Sequence, residues 1–451
     1  MRHVAVMSFT ASVGIAAIFL VDFVDMIFIS MLGQEELAAA VGYSGTLLFF
    51  TNAINIGLSI ASGSLVARSI GADDPQKARE YATSVAVFSG LTGLAFPVVL
   101  LLNLRSLLTT LGADGVTLEY AIRYCTIILP TMSFMGLAMT AMAVLRAHGD
   151  AKSSMYVTLT GGVVNAVLDP ILIFSLSMGL DGAAWASVIA RGCMMLYGLT
   201  LVIRRHAGFV APSARLIRRD FVVASAIAGP AVMTNLATPV GNAIVTREIA
   251  RFGTEAVAAM AVIGRLTPLA FAVVLALSGA IGPIVGQNFG AGRLDRVSGA
   301  LIAGLKFTGG YVLIATALLF ALRGPIANIF DATDTMRALI YLFCGLLALL
   351  QFFNGTIFVC NASFNNLGRP LYSTLINWGR HTIGTWPLAL IGSSMAGAAG
   401  VLIGQAIGGV IFSGIALWVV HRLTRALSAT AQIDDFVSEE RLHAVTSRRN
   451  W

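Results

Sequence analysis

The feature that most constrains this chain is a succession of apolar runs, each long enough to cross a lipid bilayer. They fall near 4–31, 37–68, 80–103, 118–147, 154–176 and 182–204, and then near 220–248, 256–288, 298–322, 337–366, 372–393 and 396–422. A span perpendicular to the bilayer needs roughly 20 residues, so the longer runs imply tilt, bending or extension beyond the membrane. Charged residues make up 11% of the chain and hydrophobic residues 57%. A soluble domain carries roughly a quarter of its residues as charges, so soluble and disordered classes are both excluded. The reading is an all-α integral membrane protein with 12 transmembrane helices. Prolines at 97, 130, 170, 230, 239, 268, 283 and 387 lie inside the runs. Each removes a backbone donor and favours a kink.

The net charge of +7 suggests nucleic acid only in a soluble protein, and no nucleic-acid-binding motif is present. Here the charge has a topological source. Arg68, Lys77, Arg79, Arg146, Lys152, Arg204, Arg205, Arg293, Arg296, Arg369, Arg422 and Arg425 crowd the segments on one side, with Arg215, Arg218 and Arg219 in the central linker. Arg105, Arg247, Arg251, Arg323 and Arg337 are the sparser set on the other. Basic residues collect in cytoplasmic loops, so both termini are expected in the cytoplasm. The first run carries no small-residue cleavage site and is expected to be a span rather than a signal peptide. Cys125, Cys193, Cys344 and Cys360 lie far apart in apolar runs and read as reduced packing residues, with no disulfide framework or zinc site.

The chain repeats itself. GLSIASGSLVARSIGADDPQKA (57–78) aligns with ALSGAIGPIVGQNFGAGRLDRV (276–297) at an offset of 219, and MLGQEELAAAV (31–41) with RFGTEAVAAMA (251–261) at 220. RAHGDA (146–151) aligns with NNLGRP (365–370) at 219, and GLDGAAWA (179–186) with GAAGVLIG (397–404) at 218. Two six-helix bundles follow, at 1–205 and 220–425, with a basic cytoplasmic linker at 206–219 and a cytoplasmic tail at 426–451. An even number of spans gives both copies one orientation. A pseudo-twofold axis along the membrane normal is therefore expected, with a site between or within the bundles.

Three segments carry a family resemblance: VDFVDMIFISMLG (21–33), the GADDPQKA loop with its GAGRLDR partner, and NAVLDPILIF (165–174). With the two-times-six layout, the chain resembles the multidrug and toxic compound extrusion (MATE) transporters over nearly all its length before about 425. The resemblance implies a secondary antiporter of the inner (plasma) membrane that exports organic, often cationic and amphipathic, compounds in exchange for protons or sodium. It implies no cofactor. Small-molecule substrates and the lipid bilayer are the expected partners, and a monomer the expected working form.

Of the acidic residues, only Asp22, Asp25 and Asp169 lie deep in the runs. A charge at mid-bilayer costs about 2.5–3.5 kcal/mol on insertion scales, so such residues usually face a cavity and act there. Asp22 and Asp25 are three apart on one helix face, and Asn165 and Asp169 are four apart on another. If the faces meet, carboxylates and an amide share one pocket. Crowding and desolvation then favour a held proton, and the same oxygens suit sodium. The resemblance adds that Asp25, Asn165 and Asp169 match the family's N-lobe ion-site pattern, and that Ser187 stands where that cluster has a hydroxyl. Asp22 is either a second coupling group or an outer-vestibule residue.

Two departures from the family are visible. Sodium-coupled members of the NorM-like branch carry acids on helices 7 and 10, where this chain has Thr238 and Asn354, so proton coupling through the N-lobe is expected. The first run also lacks the proline some members carry, and Gly14 is its only weak point. Asn52, Asn55, Asn235 and Asn242, together with Thr238 and Asn354, are candidate substrate contacts, with interhelical hydrogen bonding as the alternative for the first four. Arg380–His381 reads as a packed, hydrogen-bonded pair, and Arg191 and Arg265 as residues near helix ends that snorkel. No GxxxxGK[ST] motif exists to drive transport by ATP. Two alternatives stand beside the antiporter. One is a lipid-linked oligosaccharide flippase of the same broad superfamily. The other is a membrane enzyme modifying lipid or prenyl substrates through Asp22 and Asp25.

Overall fold

A computed structural model describes residues 2–30, 32 and 35–447. Among these residues every regular element is helical. In chain order the first bundle comprises α1 (Arg2–Ser30), α2 (Glu35–Gly71), α3 (Pro75–Leu102), α4 (Gly115–Ala147), α5 (Ala151–Ser175) and α6 (Leu180–His206). The second comprises α7 (Ala214–Phe252), α8 (254–290), α9 (Leu294–Ile329), α10 (Asp334–Asn366), α11 (371–395) and α12 (398–447). α8 is two helices, Thr254–Ala270 and Ala272–Gly290, meeting at Phe271 three residues after Pro268. α11 and α12 are separated only by a break at Ala396 and Gly397.

The breaks between helices follow the chemistry of the loops. Asp74 and Asp150 accept hydrogen bonds from the backbone N–H groups of Lys77 and Ser153, at 2.9 and 3.1 Å, and so cap α3 and α5. The Asp73–Asp74 pair is thus a structural turn. The same backbone turns recur in the two halves. Gly149 and Gly368 have φ of 81° and 76°, and Gly179 and Gly397 have φ of 55° and 58°. These are the positions that the 219- and 218-residue offsets pair. Positive φ is open to glycine at little cost, so the two copies share their punctuation as well as their apolar pattern.

Two expected boundaries move. α7 begins at Ala214, so the second half of the expected 206–219 linker is the first turns of a helix. α12 continues through the expected tail as far as Ser447. The linker is also tied down. Val210 N–H donates to Thr83 at 2.9 Å, Ser84 donates to Asp220 at 2.6 Å, and Arg219 bridges Asp220 and Glu80 at 2.7 and 2.8 Å.

The halves meet at the end that carries the 72–74, 148–150 and 291–293 turns. Ser64 donates to the Asn365 carbonyl at 3.0 Å and Gln287 to the Ala147 carbonyl at 2.8 Å. Gly71 and Gly290 let α2 and α8 touch through their backbones: a Cβ on either would overlap the Gln287 or Arg68 carbonyl. A mixed core of Leu58, Ala61, Leu65, Ala224, Ile227 and Ala228 continues this seam. Toward the opposite end the cores separate. Leu37, Leu108, Ile128, Leu129 and Ala184 pack within the first half, and Val245, Ile249, Ile340, Phe343 and Val401 within the second. The molecule is closed at the first end, and its halves diverge toward the other.

Candidate functional site

The deep acids of the first half lie where α1 crosses α5. Small residues bring the two helices together. Gly14 sits against Thr158 and Gly162 against Val21, with room for a Cβ only at 3.2 and 3.3 Å from those side chains. Farther along, Phe28 and Phe174 meet edge to face at 5.9 Å. Despite Gly14, α1 runs as one helix from Arg2 to Ser30.

At this crossing the Asn165 amide bridges both acids. Its Nδ2 donates to Asp169 Oδ2 at 2.6 Å and to both carboxylate oxygens of Asp25 at 3.1 Å. Asp169 is completely buried, and its Oδ1 has no hydrogen-bond partner. Pro170 follows directly, and a π-helical turn, Ile171–Ser175, replaces regular helix there. Such turns are frequent at functional sites. One amide thus serves two acids, and a buried oxygen is left without a donor. This is an arrangement that accepts a proton or a cation.

Of the other sequence-derived candidates, Ser187 is half-buried on α6 and makes none of the cluster's hydrogen bonds. Asp22 is on α1, and its side chain lies outside the described residues. Arg191 does not snorkel. It turns inward and donates to the buried Thr131 hydroxyl of α4 at 3.2 Å. Sequence alone placed it near a helix end because it could not show which face α6 turns to α4.

The amides divide by role. Asn55 is buried on α2 and donates to the Met132 carbonyl at 3.1 Å, binding α2 to α4. Its Oδ1 fills the space where Gly136 lacks a side chain. Asn52, one residue after the buried Thr51, keeps a buried Oδ1 without a partner. On α7, Asn235 bonds its own helix at Ala231, 2.8 Å, while Thr238 and Asn242 are exposed. Asn354 on α10 donates to Gln351. The two halves therefore differ in kind. Acids gather in the first. On α11 of the second, the repeat partner of α5, the basic side chains are Arg380 and His381. These two are not the bonded pair the sequence suggests. His381 Nδ1 is buried without a partner, and its ring rests against Gly241 of α7.

A family model, MatE, matches residues 11–171 and 230–384, covering the corresponding portions of both halves. The chain belongs to the MatE family. It is a membrane transporter with the fold of this family, and not an enzyme. An FAD transporter of Shewanella oneidensis is 26% identical over 94% of this chain and 95% of its own length. Multidrug export protein MepA of Staphylococcus haemolyticus is 23% identical over 90% of this chain and 89% of its own. Among solved structures, a mutant of the Vibrio cholerae MATE transporter VcmN superimposes with a TM-score of 0.90 at 25% identity, over 94% of this chain and 97% of the other. An outward-facing multidrug resistance MATE transporter superimposes with a TM-score of 0.87 at 22% identity, over 95% and 96%. That likeness is one of fold.

Proposed function

We propose that this MatE-family protein is a secondary antiporter that exports small amphipathic organic compounds in exchange for protons, with Asp25, Asn165 and Asp169 as the coupling site. The observation that supports this is the single amide shared by two carboxylates in the apolar interior of the first half. A buried acid and a half-buried one this near cannot both stay charged without a compensating cation. A proton that moves on and off the pair changes the site's charge, and a site whose charge changes holds a cationic cargo differently in its two states. Only such differential affinity can move the equilibrium between inward- and outward-open forms. Asp22 and Ser187 belong to the same region as auxiliary groups, and Asn52, Asn235, Asn242, Thr238 and Asn354 are the substrate-contacting candidates. With the basic loops in the cytoplasm, both termini are cytoplasmic, the closed end faces inward, and the halves diverge toward the outside. The monomer is the working unit.

The coupling ion is decided by dye efflux in vesicles under separately imposed gradients. Proton coupling predicts transport in sodium-free medium driven by a pH gradient alone. No transport there, with recovery on imposing a sodium gradient, would overturn the proton assignment. It would place sodium on Asp25, Asn165 and Asp169 instead. A second reading of the cargo follows from the FAD transporter of Shewanella oneidensis, which matches along nearly the whole chain. On that reading the exported compound is a flavin nucleotide, and counterflow of FAD against a panel of cationic dyes separates the two.

A further inference from the structure

The second half contains an ionisable group that the coupling site does not use. Arg380 lies in the membrane-spanning part of α11, half-buried, and its guanidinium makes no ion pair or hydrogen bond among the described residues. Several other cationic side chains of the helices have partners: Arg146 donates to Ser154 at 2.9 Å, Arg191 to Thr131, and Arg219 to two acids. A guanidinium carries five donors in a fixed plane and stays charged. Held in an apolar span with no hydrogen bond to any of the described residues, it is built for an acceptor that arrives.

The surroundings have the right chemistry. Arg380 Nε and Asn354 Oδ1 converge over Gly409 of α12, each 3.8 Å from the place a Cβ there would occupy. Asn354 is in turn held by Gln351, one turn earlier on α10. His381 follows Arg380, buried, with Nδ1 unpartnered and its ring lodged against Gly241 of α7. A π-helical turn, Arg380–Gly384, sets these two side chains off the regular helix. Helices α10, α11 and α12 thus bring an unpaired cation and an amide to Gly409, and no acid among the described residues pairs with the cation.

We propose that Arg380, beside Asn354 of α10, forms an anion-binding subsite in the second half whose donors are those of the guanidinium, and that it takes a phosphate or carboxylate group of the transported compound. The cargo class is therefore an aromatic or amphipathic molecule bearing an anionic group, or a zwitterion whose cationic end faces the acids of the first half. This deepens the transporter reading and rests on it for the word cargo. The binding itself needs no gradient.

The test is fluorescence titration of the purified full-length protein with riboflavin and with flavin mononucleotide, two probes that share a ring system and differ by one phosphate group. The wild type is expected to bind the phosphorylated probe at least tenfold more tightly, and inorganic pyrophosphate is expected to displace it while leaving riboflavin in place. Arg380→Gln is expected to erase the preference, and Arg380→Lys to keep part of it, because lysine keeps the charge but not the fork. Equal binding of the two probes by the wild type overturns the proposal, as does a folded Arg380→Gln protein that keeps the preference. The pyrophosphate competition decides the matter on wild-type protein if Arg380→Gln does not fold. Probe preference without gradient-driven efflux would sink the antiport reading alone. Efflux without preference would sink the subsite alone.

Discussion

At the scale of single residues, the consequences concentrate on Asn165. Its amide is the one donor among the described residues that reaches both acids, so removing it leaves two carboxylates facing each other. Asn165→Leu is expected to destabilise the folded protein by about 1–3 kcal/mol, the usual cost of orphaning a buried polar partner, and to abolish transport. Asp169→Asn keeps the size of the side chain and removes its charge. It is expected to insert, to melt near the wild-type temperature, and to reduce gradient-driven efflux at least tenfold. A folded Asp169→Asn protein with wild-type efflux at every pH would refute the coupling role. A second residue-scale effect lies outside the spans. Burial holds the His148 imidazole below its ordinary value, against a hydrogen bond to the Val144 carbonyl and with help from neighbouring His206. His148 stacks on His206 at 4.4 Å. The folded state thus prefers neutral His148, so stability rises with pH up to the ordinary histidine value near 6.5 and falls as pH drops below it. The melting temperature of the detergent-solubilised protein should fall between pH 7 and pH 5. His148→Gln should reduce that fall.

At the scale of elements, the α2–α8 crossing behaves as a latch. Gly71 and Gly290 allow backbone contact that no other residue permits. Gly71→Val is expected to act by overpacking, at about 1–3 kcal/mol, and so to shift the population away from the form closed at that end by about tenfold or more. Distances between spin labels in the 72–74 and 291–293 turns measure this, and an unchanged distribution would show that the crossing is not what holds the end shut. The glycines read from the sequence as repeat punctuation. That two of them clamp α2 to α8 follows only once the two halves are docked.

At the scale of the whole molecule, alternating access requires the Ser64–Asn365 seam to part. The two residues belong to different halves and touch at 3.0 Å. In a background lacking the four native cysteines, a Ser64→Cys/Asn365→Cys pair should cross-link under oxidation. Transport should then stop, and a reductant should restore it. A cross-linked protein that still exports dye would mean that this seam stays closed throughout the cycle.

Apolar periodicity, charge asymmetry and the repeat belong to the chain as written; they determined the all-α membrane class, and they singled out the stretches on which Asp25 and Asp169 lie. Those signals are local, or recur at a fixed spacing, so no tertiary information is needed to read them. The pairing of Asp25 with Asn165 required the α1–α5 crossing as well, which small residues at Gly14 and Gly162 permit but do not announce. Helix ends were the weakest reading: α7 starts six residues earlier than the linker suggested, because Ser213 caps it by accepting from the Leu216 N–H at 3.3 Å. Facing directions were out of reach altogether. Asn55 turned into a neighbouring helix, Thr238 outward, Arg191 inward and Arg380 into a polar corner without an acid. A helix in lipid buries polar side chains only against other helices, and which helix lies opposite is a property of the assembled bundle.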